Sequence, residues 1–104
     1  MLQTQEFKII HENNKSNYDW LNIEHNNFRI GKIRCKINEN AMIIYSINIF
    51  PEFQNNGFGT KIIKLFKERF EIIKADRVRH TAEAFWTKVS FSDTNNGDFI
   101  WKRN

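Results

Sequence analysis

Hydrophobic and polar positions alternate with a period of two through most of the first half of the chain, then switch to a period near 3.6. Phe7–His11 (FKIIH) is a short β-prone run, and the Asn/Ser-rich residues 13–17 after it predict a turn. Residues 18–24 (YDWLNIE) set Tyr18, Trp20 and Asn22 against Asp19, Leu21 and Ile23, a half-buried strand, and 25–27 form the next turn, with Glu24 and His25 read as loop residues. In residues 28–37 (FRIGKIRCKI) the apolar phase flips after Gly31, from Phe28 and Ile30 to Ile33, Cys35 and Ile37. A glycine at such a flip predicts a β-bulge. A turn at 38–40 leads into residues 41–50 (AMIIYSINIF), apolar except at Ser46 and Asn48, which reads as a central strand covered on both faces and stopped by Pro51.

The helical period then appears. Residues 60–73 place Ile62, Phe66, Phe70 and Ile73 on one stripe, with lysines and glutamates away from it, predicting an amphipathic helix that lies on a sheet. Residues 75–80 read as a short strand, and 81–89 as a second helix capped by Thr81. A terminal hairpin over 91–93 and 98–102 turns at Asn95-Asn96-Gly97. The order is β-β-β-β-α-β-α-β-β, an α+β domain with a mostly antiparallel sheet and helices packed on it.

At 104 residues this is a single domain over 1–104. One cysteine excludes an internal disulfide, and Cys35, in register between two isoleucines, reads as a small buried hydrophobe. No stretch approaches the roughly 18 apolar residues of a membrane span, and the N-terminus shows no leader pattern, so a soluble, cytoplasmic protein is expected. With 40% hydrophobic residues and ten phenylalanines it is too apolar to be a disordered tail. The net charge of +4 permits nucleic acid, an acidic protein or a phosphorylated small molecule. The basic residues are scattered along strands and helices, which counts against nucleic acid. No His/Cys/Asp spacing suggests a metal.

The chemically informative stretch is 49–60. A buried strand ends at Pro51, and a polar turn leads through Gly57-x-Gly59 into the helix. Backbone N–H groups at a helix N-terminus bind anions, and glycines allow positive φ and close ligand approach. Alone, Gly-x-Gly reads equally well as a turn and helix start. It lacks the Lys-Ser/Thr pair of a phosphate-binding P-loop and the third glycine of a dinucleotide fingerprint.

Gln54-x-x-Gly57-x-Gly59, after Ile49-x-Pro51-Glu52-Phe53 and before a helix, resembles the acetyl-CoA-binding motif of the GNAT N-acetyltransferases. Ala82-x-x-Phe85-Trp86-Thr87-Lys88-Val89-Ser90-Phe91 resembles the C-terminal helix signature of the same family. The resemblance runs from about residue 28 to the C-terminus. It implies an acetyl-CoA-dependent N-acetyltransferase working by direct attack of an amine, with no covalent enzyme intermediate and no metal. It places the CoA pyrophosphate on the backbone of Gln54, Asn55, Asn56, Gly57, Phe58, Gly59 and Thr60. Lys61 and Lys64 are the nearest cations, or a solvated helix face. Ile47, Asn48 and Ile49 would lie along the pantetheine arm, Phe85, Trp86 and Lys88 at the cofactor from the second helix, and the Ile49 N–H on the thioester carbonyl.

Several positions depart from the family pattern. Trp86 stands where members often carry a tyrosine acid, Ser90 where the signature has glycine, and Ile43 where some members place a base glutamate. The candidate bases are therefore Tyr45, more commonly a core residue at such a position, His80, more commonly a surface or capping residue, or a water held by Ser46 and Asn48. These departures also fit a catalytically weak CoA-binding or protein-interaction module on the same fold. Only residues 12–17 separate the first two strands, too few for the two helices that usually wall the acceptor site. The acceptor face should be open, suited to a protein lysine or N-terminus, or completed by a second copy in a homodimer.

Overall fold

The computed structural model describes residues 7–14 and 16–104. The expected absence of a leader falls on residues 1–6 and part of the expected first turn on Lys15, both outside the described residues. Four strands form an antiparallel meander: β1 (Phe7–His11), β2 (Asp19–His25), β3 (Phe28–Asn38) and β4 (Ala41–Ile49). Asn26 and Asn27 both take positive φ (51° and 69°), the two-residue turn whose twist matches a tight hairpin. After a 3-10 turn at Pro51–Phe53 come α1 (Phe58–Arg69), β5 (Ile72–Ala75), a 3-10 turn at His80–Ala82, α2 (Glu83–Lys88), β6 (Ser92–Asp93) and β7 (Phe99–Lys102). The seven-stranded sheet runs β1-β2-β3-β4-β5-β7-β6, antiparallel except where β5 lies parallel to β4. The expected fold class and element order are the observed ones.

The pairing register puts Leu21 opposite Ile33, Cys35 opposite Ile44, Met42 opposite Ile73 and Ala75 opposite Phe99, all on one sheet face. These residues are buried in one cluster with Ile62, Ile63 and Phe66 of α1 and Trp86 of α2. Both helices therefore pack on the same side. Among the described residues no helix covers the other face, which carries Trp20, Lys32, Arg34, Lys36, Ile43 and Lys74. This corrects the reading of β4 as covered on both faces: Met42 and Ile44 are buried, but Ile43 is half-buried. The register sets Ile43 between Lys36 and Lys74, so both of its cross-strand neighbours on this face are charged.

Two bulges shape the meander. In β3 the register slips beside Gly31 and leaves Ile30 unpaired, so Ile30 and Ile33 both reach the core, as the phase flip predicts. Gly31 is required by a close approach: a Cβ there would sit 2.5 Å from the Asn48 carbonyl oxygen. The second bulge, at Tyr45, has no glycine or proline to announce it.

Beyond one-residue shifts at strand ends, the structure differs from the sequence reading at four places. The first helix spans Phe58–Arg69, not 60–73. The last helical bond runs from the Phe70 N–H to the Phe66 carbonyl, after which the N–H groups of Glu71 and Ile72 both turn to the Asn40 carbonyl and start β5. Ile73 thus belongs to β5, and the strand expected at 75–80 lies at Ile72–Ala75. The second helix begins with a 3-10 turn, and its N-cap is Ala82 rather than Thr81, without a side-chain cap. Finally, His25 is the last residue of β2, not a loop residue. It is buried between the rings of Phe7 and Phe58, at 4.6 and 4.8 Å between centroids, and so seats the first residue of α1 against the sheet.

Candidate functional site

The parallel β4–β5 ladder is short, running from the Ala41/Ile72 pair to the Ile44/Ala75 pair. Its last bond goes from the Asp76 N–H to the Ile44 carbonyl, 2.9 Å. Beyond it the two strands separate for identifiable reasons. Tyr45 bulges out of β4. Arg77 takes φ 48°, its N–H is held by Asp98 Oδ1 at 2.8 Å, and the Val78 N–H reaches the Gly97 carbonyl at 2.7 Å. The chain after β5 is thereby drawn toward the β6–β7 turn. The gap is a cleft of about 380 Å³ walled by residues 44–48 and 75–79, with Ala82 and Trp86 on the helix side.

One edge of the cleft belongs to a strand whose ladder partner has left it. The Phe50 N–H donates to the Ile30 carbonyl at 2.8 Å, which sets the phase of the β3–β4 ladder. By alternation, Asn48 directs its backbone groups to β3, while Ile47 and Ile49 direct theirs to the side that β5 has left. Of the three residues expected along the pantetheine arm, Ile47 and Ile49 have backbone N–H groups facing the side that β5 has left, and Asn48 faces β3.

Beyond β4 the polar loop is tied down by its own side chains. Gln54 Nε2 donates to the Ile49 carbonyl at 2.8 Å, and Asn56 Nδ2 to the carbonyls of Phe53 and Gln54 at 3.2 and 3.1 Å. Asn55 and Gly57 take φ of 65° and 73°. The first α1 bond joins the Lys61 N–H to the Gly57 carbonyl, so the preceding N–H groups are the open donors of a helix start. The two glycines serve different ends. Gly57 needs its left-handed φ, and a Cβ there would meet no atom within 4 Å. Gly59 is helical, and a Cβ there would sit 3.2 Å from the Phe85 ring, so its smallness seats α2 against α1.

The structure thus brings Tyr45, Ile47, Asn48 and Trp86 to the cleft, with Ile49 next along β4 and Gln54, Asn55, Asn56, Gly57, Phe58, Gly59, Thr60 and Lys61 in the loop and helix start that follow β4, outside the cleft lining. Phe85 packs edge-on to Trp86 at 5.1 Å. Lys88 is exposed and outside the cleft lining. His80 is also outside it, its side chain 95% exposed, with Nδ1 3.2 Å from Glu83 Oε2. Cys35, opposite Ile44 on the core face, is not in the cleft lining: its Sγ donates to the Asp19 carbonyl, and burial, with the Asp19 charge as a lesser cause, pushes its thiol up to about 12. Sequence reasoning missed Arg34, Asp76, Arg77 and Arg79 at the cleft. For Arg34 a signal was present, the alternation of Lys32, Arg34 and Lys36 on one face of β3; Asp76, Arg77 and Arg79 follow β5 outside any strand and carry none.

No family model matches the chain, and no curated protein sequence does. Solved structures match its fold. A GNAT family acetyltransferase from Elizabethkingia anophelis with acetyl-CoA bound superposes with a TM-score of 0.64 at 13% identity, covering 95% of this chain and 98% of its own. A Bacillus subtilis acetyltransferase in complex with CoA gives 0.65 at 11% identity, covering 97% and 100%. The Bacillus subtilis N-acetyltransferase YlbP in complex with coenzyme A gives 0.63 at 16% identity, covering 81% and 67%. The chain has the fold of the GNAT acetyltransferases.

Proposed function

We propose that this domain transfers the acetyl group of acetyl-CoA to an amine. One juxtaposition carries the reading. The N–H groups of Ile47 and Ile49, on the side of β4 that β5 has left, are followed along the chain by the open N–H groups at the start of α1, on a fold whose solved examples include ones with CoA or acetyl-CoA bound. These residues fit the co-substrate: an extended arm with amides can pair with a strand that lacks a neighbour, and phosphates suit a helix start whose glycine leaves space. The groups from Gln54 to Thr60 would hold the pyrophosphate with Lys61 beside them, Ile47 and Ile49 the pantetheine arm, and Phe85 and Trp86 the wall behind it. Acetyl-CoA, when bound, supplies an activated acyl group with a thiol leaving group.

The chain's own work is then electrostatic and positional. The Ile49 N–H donates to the thioester carbonyl as negative charge develops there. A water held by Ser46 and Asn48 accepts the proton released by the attacking amine, or the Tyr45 hydroxyl relays it, taking that proton as it passes its own to solvent. A thiol with pKa about 8.5 departs without a strong acid, so the indole of Trp86 is no obstacle.

Calorimetric titration with acetyl-CoA tests the reading, paired with thiol detection of CoA release in the presence of amines. Gly57→Glu should remove binding, because it places a carboxylate where the phosphates would lie. Absence of acetyl-CoA binding by the unaltered protein refutes the proposal. A binding-only module on the same fold is favoured by one observation: the carboxylate at the cleft, Asp76, lies 3.6 Å from both Lys74 and Arg77. Acetyl-CoA binding without CoA release to any amine supports that second reading.

A further inference from the structure

On the bare face of the sheet, sharing a wall with the cleft, a second pocket of about 260 Å³ opens between Tyr18, Arg34, Tyr45, Asp76, Arg77 and Arg79. Arg34, Tyr45, Asp76, Arg77 and Arg79 line both spaces and Tyr18 lines the pocket alone, so the pocket is the continuation of the cleft on the side away from the helices. Three guanidinium groups surround it against one carboxylate, and that carboxylate is shared with Lys74 and Arg77. Arg34 lies over the Tyr18 ring, 4.9 Å from its centroid, and its buried Nε has no hydrogen-bond partner. Such a donor is costly to leave unsatisfied, and a ligand oxygen would satisfy it. Arg79 makes no ion pair among the described residues. The Tyr18 and Tyr45 rings meet edge-on at 5.0 Å and brace one wall.

Planar guanidinium forks match carboxylate and phosphate oxygens better than any other side chain does. We propose that this pocket is the acceptor site and that the acceptor carries an oxyanion, carboxylate or phosphate, beside the amine to be acetylated. The inference rests on the acetyl-transfer reading for what happens to that amine. It also supplies a reason why β4 needs no glutamate. A cationic pocket disfavours the ammonium form of a bound amine and so presents the free base that attacks the thioester.

The test compares CoA release with an Asp-Lys-Asp peptide and its uncharged Asn-Lys-Asn counterpart, each blocked at its termini, and with phosphoethanolamine as a small anionic amine. The acidic peptide or phosphoethanolamine should exceed the neutral peptide by about tenfold or more in kcat/KM, a scale set by one charge-assisted contact. Arg79→Gln should erase that preference and Arg79→Glu invert it, with the melting temperature unchanged. The better of the two anionic substrates shows whether the oxyanion belongs to a protein or to a small molecule. Equal use of acidic and neutral peptides, or a preference that survives Arg79→Gln, overturns the proposal. Calorimetry of the two peptides without acetyl-CoA separates the two readings. If acetyl-CoA does not bind but the acidic peptide alone does, and Arg79→Gln abolishes that binding, the enzyme reading fails and the oxyanion site stands. If neither acetyl-CoA nor either peptide binds, the oxyanion site falls as well.

Discussion

Replacing Gly31 with alanine puts a methyl group 2.5 Å from the Asn48 carbonyl oxygen, 3.1 Å from Ile49 Cδ1 and 3.3 Å from Ile49 Cα. The nearest obstacle is backbone, so no rotamer change relieves it. Restoring an ordinary contact of 3.4 Å requires β3 and β4 to part by about 0.9 Å at this point. Overpacking of this kind costs about 1–3 kcal/mol, and a backbone obstacle places Gly31→Ala at about 2–3. With an unfolding entropy of about 2.1 cal/mol/K per residue, the melting temperature should fall by about 9–14 °C, read by circular dichroism. Gly97→Ala is the control: its φ of 96° carries strain, but no atom lies within 4 Å, so about 1 kcal/mol is expected. A melting temperature for Gly31→Ala within about 2 °C of the unaltered protein, well inside the predicted drop, would refute the close approach. The same variant probes chemistry. A displacement near 1 Å of the Ile49 N–H should lower kcat for CoA release by about a hundredfold. Loss of stability with kcat intact would show that Ile49 is not the carbonyl donor.

Two further outcomes follow from groups outside the cleft. Asp19 accepts the Ile37 N–H at 2.8 Å and pairs with His11 at 2.9 Å, and these contacts, the backbone bond first, hold its carboxyl below the usual 3.8. Because its folded pKa is depressed, its contribution is present above about pH 5 and fades as pH falls below the ordinary value. Asp19→Asn should therefore melt lower than the unaltered protein at pH 7, with the gap closing near pH 3; a gap independent of pH contradicts the assignment. Cys35, buried and held protonated, should react with a thiol reagent at pH 8 at least about a hundredfold more slowly in the folded protein than in denaturant, and equal rates would refute its burial.

The helical stripe of Ile62, Phe66 and Phe70 and the glycine at the phase flip of β3 were legible because each obeys a local periodicity. Ile73 was misplaced because it continues the helical stripe and also fits a strand, and only the bonds from residues 71 and 72 to Asn40 decide between them. The cleft was legible at its glycine loop and illegible at its cause. The bulge at Tyr45 and the left-handed turn at Arg77 come from pairing partners distant in sequence. His25 looked like a turn residue because its burial depends on Phe7 and Phe58, neither of them its neighbour along the chain. The arginine pocket was hidden for the same reason, since Arg34 and Arg79 meet only when β3 and the segment after β5 flank β4.

The short β4–β5 ladder has a mechanical consequence. Strands β1–β4 form one leaf of a book and β5–β7 the other, joined within the sheet by four pairs of residues. The spine lies at Met42 and Ile73, fully buried and on the far side of the ladder from the opening. A small rotation about that spine changes the width at residues 46–49 without altering any side chain that lines it. The grip on whatever enters is therefore set as much by packing under α1 as by the cleft walls, and it can be retuned from the core.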